Sequence, residues 1–162
     1  TNIDTCLSGS NLLNVKQVKN NSRYKYVKGN ITNKKLIDKV VSDVDAVINF
    51  AAETHVDRSI SDPKPFIDSN IYGTYILLES IRKYKKRLVH ISTDEVFGSL
   101  KSSSATEKYP YNPSSPYSAS KAASDHLVRA WRETYKLPTI ITNCSNSSWL
   151  LLAISISSAP LR

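Results

Sequence analysis

The chain has 162 residues, 40% of them hydrophobic and 22% charged, which suits one soluble globular domain with a core. Its formal net charge is +8, but the lysine clusters at Lys34–Lys35 and Lys83–Arg87 come with no zinc, helix-turn-helix or aromatic-basic module, so they read as solvated helix faces and not as a nucleic-acid surface. Cys6 and Cys144 give neither a disulfide framework nor a metal spacing, and the longest apolar stretch, 149–156, is too short to span a bilayer, so a cytoplasmic protein with no membrane partner is expected.

The first residues, Thr1 to Asp4, read as the tail of a strand. Tyr24 to Val27 is a second short strand, followed by Gly29, Asn30 and Ile31. Thr32 or Asn33 caps a helix running to about Ser42, with Leu36, Ile37, Val40 and Val41 as its apolar face. Asp45 to Ala52 is nearly all apolar, as suits a strand of a parallel sheet covered on both faces, and it ends in the small residues Ala51 and Ala52. Pro63 to Lys86 reads as one long helix from the spacing of Phe66, Ile67, Asn70, Ile71, Thr74, Leu77, Leu78 and Ile81. Ser69 and Asn70 would place polar groups on its inward side. The three histidines, His55, His90 and His126, have no Cys or His partner at ligand spacing, and no metal is expected.

Leu88 to Ile91 is a buried strand that ends in Ser92-Thr93-Asp94-Glu95, and Gly98 opens a polar loop. A hydroxyl and two carboxylates therefore sit at the carboxyl end of a parallel strand, where open α/β sheets place their ligand crevice. Ser114 or Ser115 caps the next helix and Pro116 occupies its first turn. The four-residue spacing of Tyr117 and Lys121 puts phenol and ammonium on one face of that helix. An ammonium favours the phenolate and makes it a usable base, and with Thr93 the two form the parts of a hydride-transfer site acting on an alcohol. The helix runs to about Tyr135, and Pro138 to Cys144 is the next strand.

The runs Asn49 to Ile60, Ser92 to Gly98, Ser115 to Lys121 and Ser124 to Trp131, extended by Thr142 to Asn146, resemble the extended short-chain dehydrogenase/reductase superfamily and, within it, the dTDP-glucose 4,6-dehydratases. The Thr93-Asp94-Glu95 triplet discriminates, since related epimerases and decarboxylases carry other residues at the two carboxylate positions. The resemblance implies NAD as cofactor, with Asp4 on the adenosine ribose, Asn30 and Ile31 at the adenine, and Phe50, Ala51, Ala52, Thr54, Ser69, Tyr117 and Lys121 as further contacts. It implies Thr54, Thr93 and Asn146 as contacts of a nucleotide sugar, dTDP-glucose, and a homodimer for the full-length family. In its mechanism Tyr117, poised by Lys121 and Thr93, takes the C4 hydroxyl proton; Glu95 removes the C5 proton; and Asp94 protonates the departing C6 hydroxyl.

The expected fold is therefore α/β, a doubly wound Rossmann-type parallel sheet that is incomplete. No Gly-x-x-Gly-x-x-Gly loop exists, and the four glycines, at 9, 29, 73 and 98, are scattered. The first β–α unit and the C-terminal substrate domain are read as missing. Residues 1–146 form a partial NAD-binding domain and 147–162 a divergent tail. Two alternatives to the dehydratase are a nucleotide-sugar epimerase or decarboxylase, which would not need the acid and base after Thr93, and an inactive fragment acting only as a binding module. The chain alone is expected not to turn over.

Overall fold

The computed structural model describes residues 1–6, 11–100, 105, 106 and 108–144. Its strands are β1 (Asn2–Asp4), β2 (Tyr26–Lys28), β3 (Ala46–Asn49), β4 (Arg87–Thr93) and β5 (Thr139–Cys144). Its helices are α1 (Lys34–Ser42), α2 (Val56–Ser61), α3 (Lys64–Phe66), α4 (Thr74–Tyr84) and α5 (Pro116–Tyr135), with a π-helical stretch, Ile67–Gly73, joining α3 to α4. All strand pairs are parallel, and helices provide the crossovers, so the fold is α/β of the Rossmann type.

The strands do not form one sheet. β1 pairs with β2, and β3, β4 and β5 form a separate sheet in that order. The register runs Ala46 to Arg87 and Leu88 to Thr139, and Thr93 ends level with Cys144. A cavity of about 830 Å³ opens between the two, lined by Thr1 to Thr5 on one side and Ala46 to Glu53 on the other. β3 consequently lacks the cover its apolar sequence suggested: Ile48 is 39% exposed and Phe50 67%.

The core lies where α1 meets α4 and α4 meets α5. Ile37 and Val41 of α1, Leu78 and Ile81 of α4, Leu88 of β4 and Val128 of α5 are its buried centre. α1 begins as the sequence suggests, with the Asn33 side chain accepting from the Leu36 N–H at 3.1 Å. A second, smaller cluster of Val96, Phe97 and Ala122 closes against Tyr109 and Tyr111, beside the end of β4. Among the described residues no helix is long and apolar enough to cross a membrane.

Candidate active site

β4 is the middle strand of its sheet, and Thr93 is its last residue. The Thr93 hydroxyl accepts from the Glu95 N–H at 3.3 Å and so starts a 3-10 turn, Asp94–Phe97. It also lies 3.3 Å from Asp94 Oδ1. Gly98 ends the turn at φ 66°, and a Cβ there would come within 2.1 Å of the Asn112 carbonyl oxygen. Glycine is required on both counts. The returning loop is held by the Asn112 N–H donating to Val96 at 2.9 Å.

Ser115 and Ser118 form a capping box at the start of α5: each side-chain oxygen accepts the other's N–H, at 3.1 Å and 3.0 Å. The Tyr117 N–H donates to the buried Ser59 hydroxyl at 3.1 Å, which pins the first turn of α5 to α2. Phe66 packs edge-on against the Tyr117 ring, with centroids 6.3 Å apart.

Thr93, Tyr117 and Lys121 are all buried, at 4%, 5% and 4% exposure. The Thr93 hydroxyl is the polar group that favours the ionised Tyr117 phenol. Burial holds that phenol above its ordinary value of 10.0; the Thr93 hydroxyl opposes this, and the charges of Glu95 and Asp94 push further up. Here the structure departs from the expectation that Lys121 lowers the phenol. The Lys121 ammonium instead donates to the Ile91 carbonyl at 2.7 Å. Burial pushes it below its own ordinary value, against the opposing charges of Asp125 and Cys144. Burial, then the charge of Asp94, raises the Glu95 carboxyl, which makes it a stronger base than an exposed glutamate.

The expected cofactor contacts fall in two groups. Asp4, Asn30, Ile31, Phe50, Ala51, Ala52 and Ser69 all line the large cavity. Thr54 is exposed on the loop after β3 and lies off that wall, as do Thr93, Tyr117 and Lys121. Asp4 Oδ1 accepts from the Cys6 N–H at 2.6 Å, so the strand end is locally braced. The Asn30 side-chain oxygen accepts from both the N–H and the hydroxyl of Thr32 at 2.9 Å. Asn146 lies outside the described residues, as does the 147–162 tail.

Residues 3–151 match the GDP-mannose 4,6 dehydratase family. The chain belongs to that family. It is 49% identical to the dTDP-glucose 4,6-dehydratase of Escherichia coli, over 90% of this chain and 46% of that protein. Against the dTDP-glucose 4,6-dehydratase of Mycolicibacterium smegmatis it is 51% identical, over 77% of this chain and 39% of that one. Among solved structures it superposes on DesIV, a dTDP-glucose 4,6-dehydratase from Streptomyces venezuelae with NAD bound, at a TM-score of 0.85 and 43% identity, over 88% of this chain and 44% of DesIV. The UDP-glucuronic acid 4-epimerase of Bacillus cereus gives 0.81 at 29% identity, over 87% and 46%. The chain thus spans under half the length of the curated relatives it matches.

In this member of the 4,6-dehydratase family further buried polar residues brace these elements, the first of them Asn70, which helical spacing already set on the inward side. Asn70, 2% exposed in the π-helical stretch, accepts from the Glu53 N–H at 2.8 Å. It donates to the Glu53 carbonyl at 3.0 Å and to the Ser120 hydroxyl at 2.8 Å. It therefore ties the loop after β3 to α5. Ser59, Ser92, Tyr111 and Asp125 have equally specific bonds. The only sequence signal for Asp125 was a carboxylate four residues beyond Lys121, on the same helix face.

Proposed function

We propose that the whole protein converts dTDP-glucose to dTDP-4-keto-6-deoxyglucose with loss of water, holding NAD throughout. One observation carries the proposal: Asp94 and Glu95 follow Thr93 directly at the end of β4, beside the buried Tyr117 and Lys121 of α5. The identity to dTDP-glucose 4,6-dehydratases supports the choice of sugar. Asp4, the Asn30 amide and the small Ala51 and Ala52 around the cavity suit a dinucleotide, which needs a ribose acceptor, polar groups for its base and room for its backbone. NAD, when bound, supplies the acceptor for the C4 hydride and returns it at C6.

The chain's own residues then divide the proton work. Thr93 orients the sugar and the Tyr117 phenol, and Tyr117 takes the C4 hydroxyl proton. The ketone so formed acidifies C5. Glu95, its basicity raised by burial, takes the C5 proton, and Asp94 gives a proton to the C6 hydroxyl as it leaves as water. Two carboxylic groups are needed because acid and base must act in one elimination.

The homodimer belongs to the same proposal. Tyr72, Tyr75, Trp131 and Tyr135 form an aromatic strip across the π-helical stretch, α4 and α5, with neighbouring ring centroids 5.7–6.2 Å apart. Tyr72 is 51% exposed and Tyr135 43%, an apolar surface suited to a second copy. We place the reaction in the cytoplasm. Two measurements test the function. Incubating the whole protein with NAD⁺ and dTDP-glucose should yield the 4-keto product; formation of a C4-epimerised sugar instead would contradict it. Adding NAD⁺ to this chain should shift the backbone amide resonances of Asp4, Ile31, Ala52 and Ser69, and shifts confined to other residues would contradict the cofactor assignment.

A further inference from the structure

Behind the site lies a buried polar cluster that the reaction does not use. Asp125 is 0% exposed and His90 1%. The Ser92 hydroxyl donates to Asp125 Oδ2 at 2.7 Å and the Tyr111 hydroxyl to the same oxygen at 2.8 Å. Arg129 donates to the Tyr111 hydroxyl at 2.8 Å and stacks over its ring at 4.6 Å. Asp125 Oδ1 has His90 Nε2 at 3.5 Å and no hydrogen-bond partner among the described residues.

The cation that answers this carboxylate is not His90. Burial, and then the charge of Lys121, push the imidazole down to about 3, so it is neutral at physiological pH. Asp125 follows Lys121 by one helical turn, so the two buried residues share a face of α5. Burying an ammonium without an opposite charge favours loss of its proton.

We infer that Asp125 is a positioning residue: its carboxylate keeps Lys121 charged and donating to the Ile91 carbonyl, and so steadies the end of β4 two residues before Thr93. The inference rests on the proposed role of Lys121 in the reaction. The ionisable groups facing the pair are His90 from β4, Tyr111 from the preceding loop, Cys144 from β5 and Arg129 from α5.

The test reads the coupling directly and needs no turnover, so it stands even if the dehydratase proposal fails. Label the chain with ¹³C,¹⁵N-lysine, assign the Lys121 side chain by its loss in Lys121→Met, and titrate it by NMR. Asp125→Asn should lower the Lys121 midpoint by about one pH unit or more. Asp125→Glu should restore most of it. Tyr111→Phe, which removes a hydrogen bond but leaves the charge, should not lower it. An unchanged midpoint in Asp125→Asn, or an equal fall in Tyr111→Phe, would overturn the inference. Should Asp125→Asn fail to fold, reciprocity supplies the other arm: Lys121→Met should raise the Asp125 carboxyl midpoint by the same number of units, and an unmoved carboxyl would overturn it.

Discussion

His90 Nδ1 accepts from the Asn49 amide at 3.2 Å and Nε2 meets the Ser124 hydroxyl at 3.2 Å, and the ring is neutral because burial drives its ordinary value of 6.5 down to about 3. Between those values the unfolded chain binds a proton that the folded chain refuses. The stability linked to His90 is therefore complete above about 6.5 and is lost as pH falls toward 3. Asp125, raised by burial, gives the opposite slope in the acid range above its ordinary 3.8, where the folded carboxyl keeps a proton that the unfolded one releases. Denaturant unfolding at pH 7 and pH 5 should show a larger loss for the wild type than for His90→Gln; equal losses would contradict the assignment. At this scale the placement of Thr93, Asp94 and Glu95 at a strand end and of Tyr117 and Lys121 on one helix face was legible from local sequence pattern. Asp125 and Ser59 were not, because a buried serine or aspartate is marked by its partners, and those come from sites 33 and 58 residues distant in sequence.

The elements were legible where local chemistry set them. Asn33 and Ser115 begin α1 and α5, and Tyr135 ends α5. Ser115→Ala should cost about 1 kcal/mol in unfolding free energy, since it removes one side of the capping box. The helix expected over 63–86 instead contains the π-helical stretch Ile67–Gly73. Its apolar spacing could not separate the two, because the wider turn is fixed by what Asn70 reaches, the Glu53 backbone and Ser120, and not by its neighbours in sequence. Asn70→Ala leaves the Glu53 N–H and the Ser120 hydroxyl without that partner, and should cost roughly 1–3 kcal/mol. It should also increase amide exchange in the loop after β3; unchanged exchange there would show that the loop is held by other contacts. Gly98→Ala should be costlier than a typical loop change, about 1–3 kcal/mol from backbone conformation alone, before the clash with Asn112 is counted.

For the molecule as a whole, parallel strands and crossover helices followed from the alternation of apolar runs and helical patterns; the order β3–β4–β5 came from the structure. The division into two sheets agrees with the incomplete sheet expected above, not with any one strand read alone. An apolar run such as 45–52 says that a strand prefers to be covered, not that its neighbour is present, and here Ile48 and Phe50 face the cavity between the sheets. The central functional claim is that Asp94 and Glu95 add elimination to an oxidation performed by Tyr117 with Thr93 and Lys121. It is tested most directly by following the C5 proton of dTDP-glucose by NMR in deuterated buffer with the whole protein and NAD⁺, while recording reduced nicotinamide by absorbance. Glu95→Gln should still form reduced nicotinamide but lose C5 exchange by about 100-fold or more, whereas Tyr117→Phe should lose both. Wild-type C5 exchange in Glu95→Gln would contradict the claim.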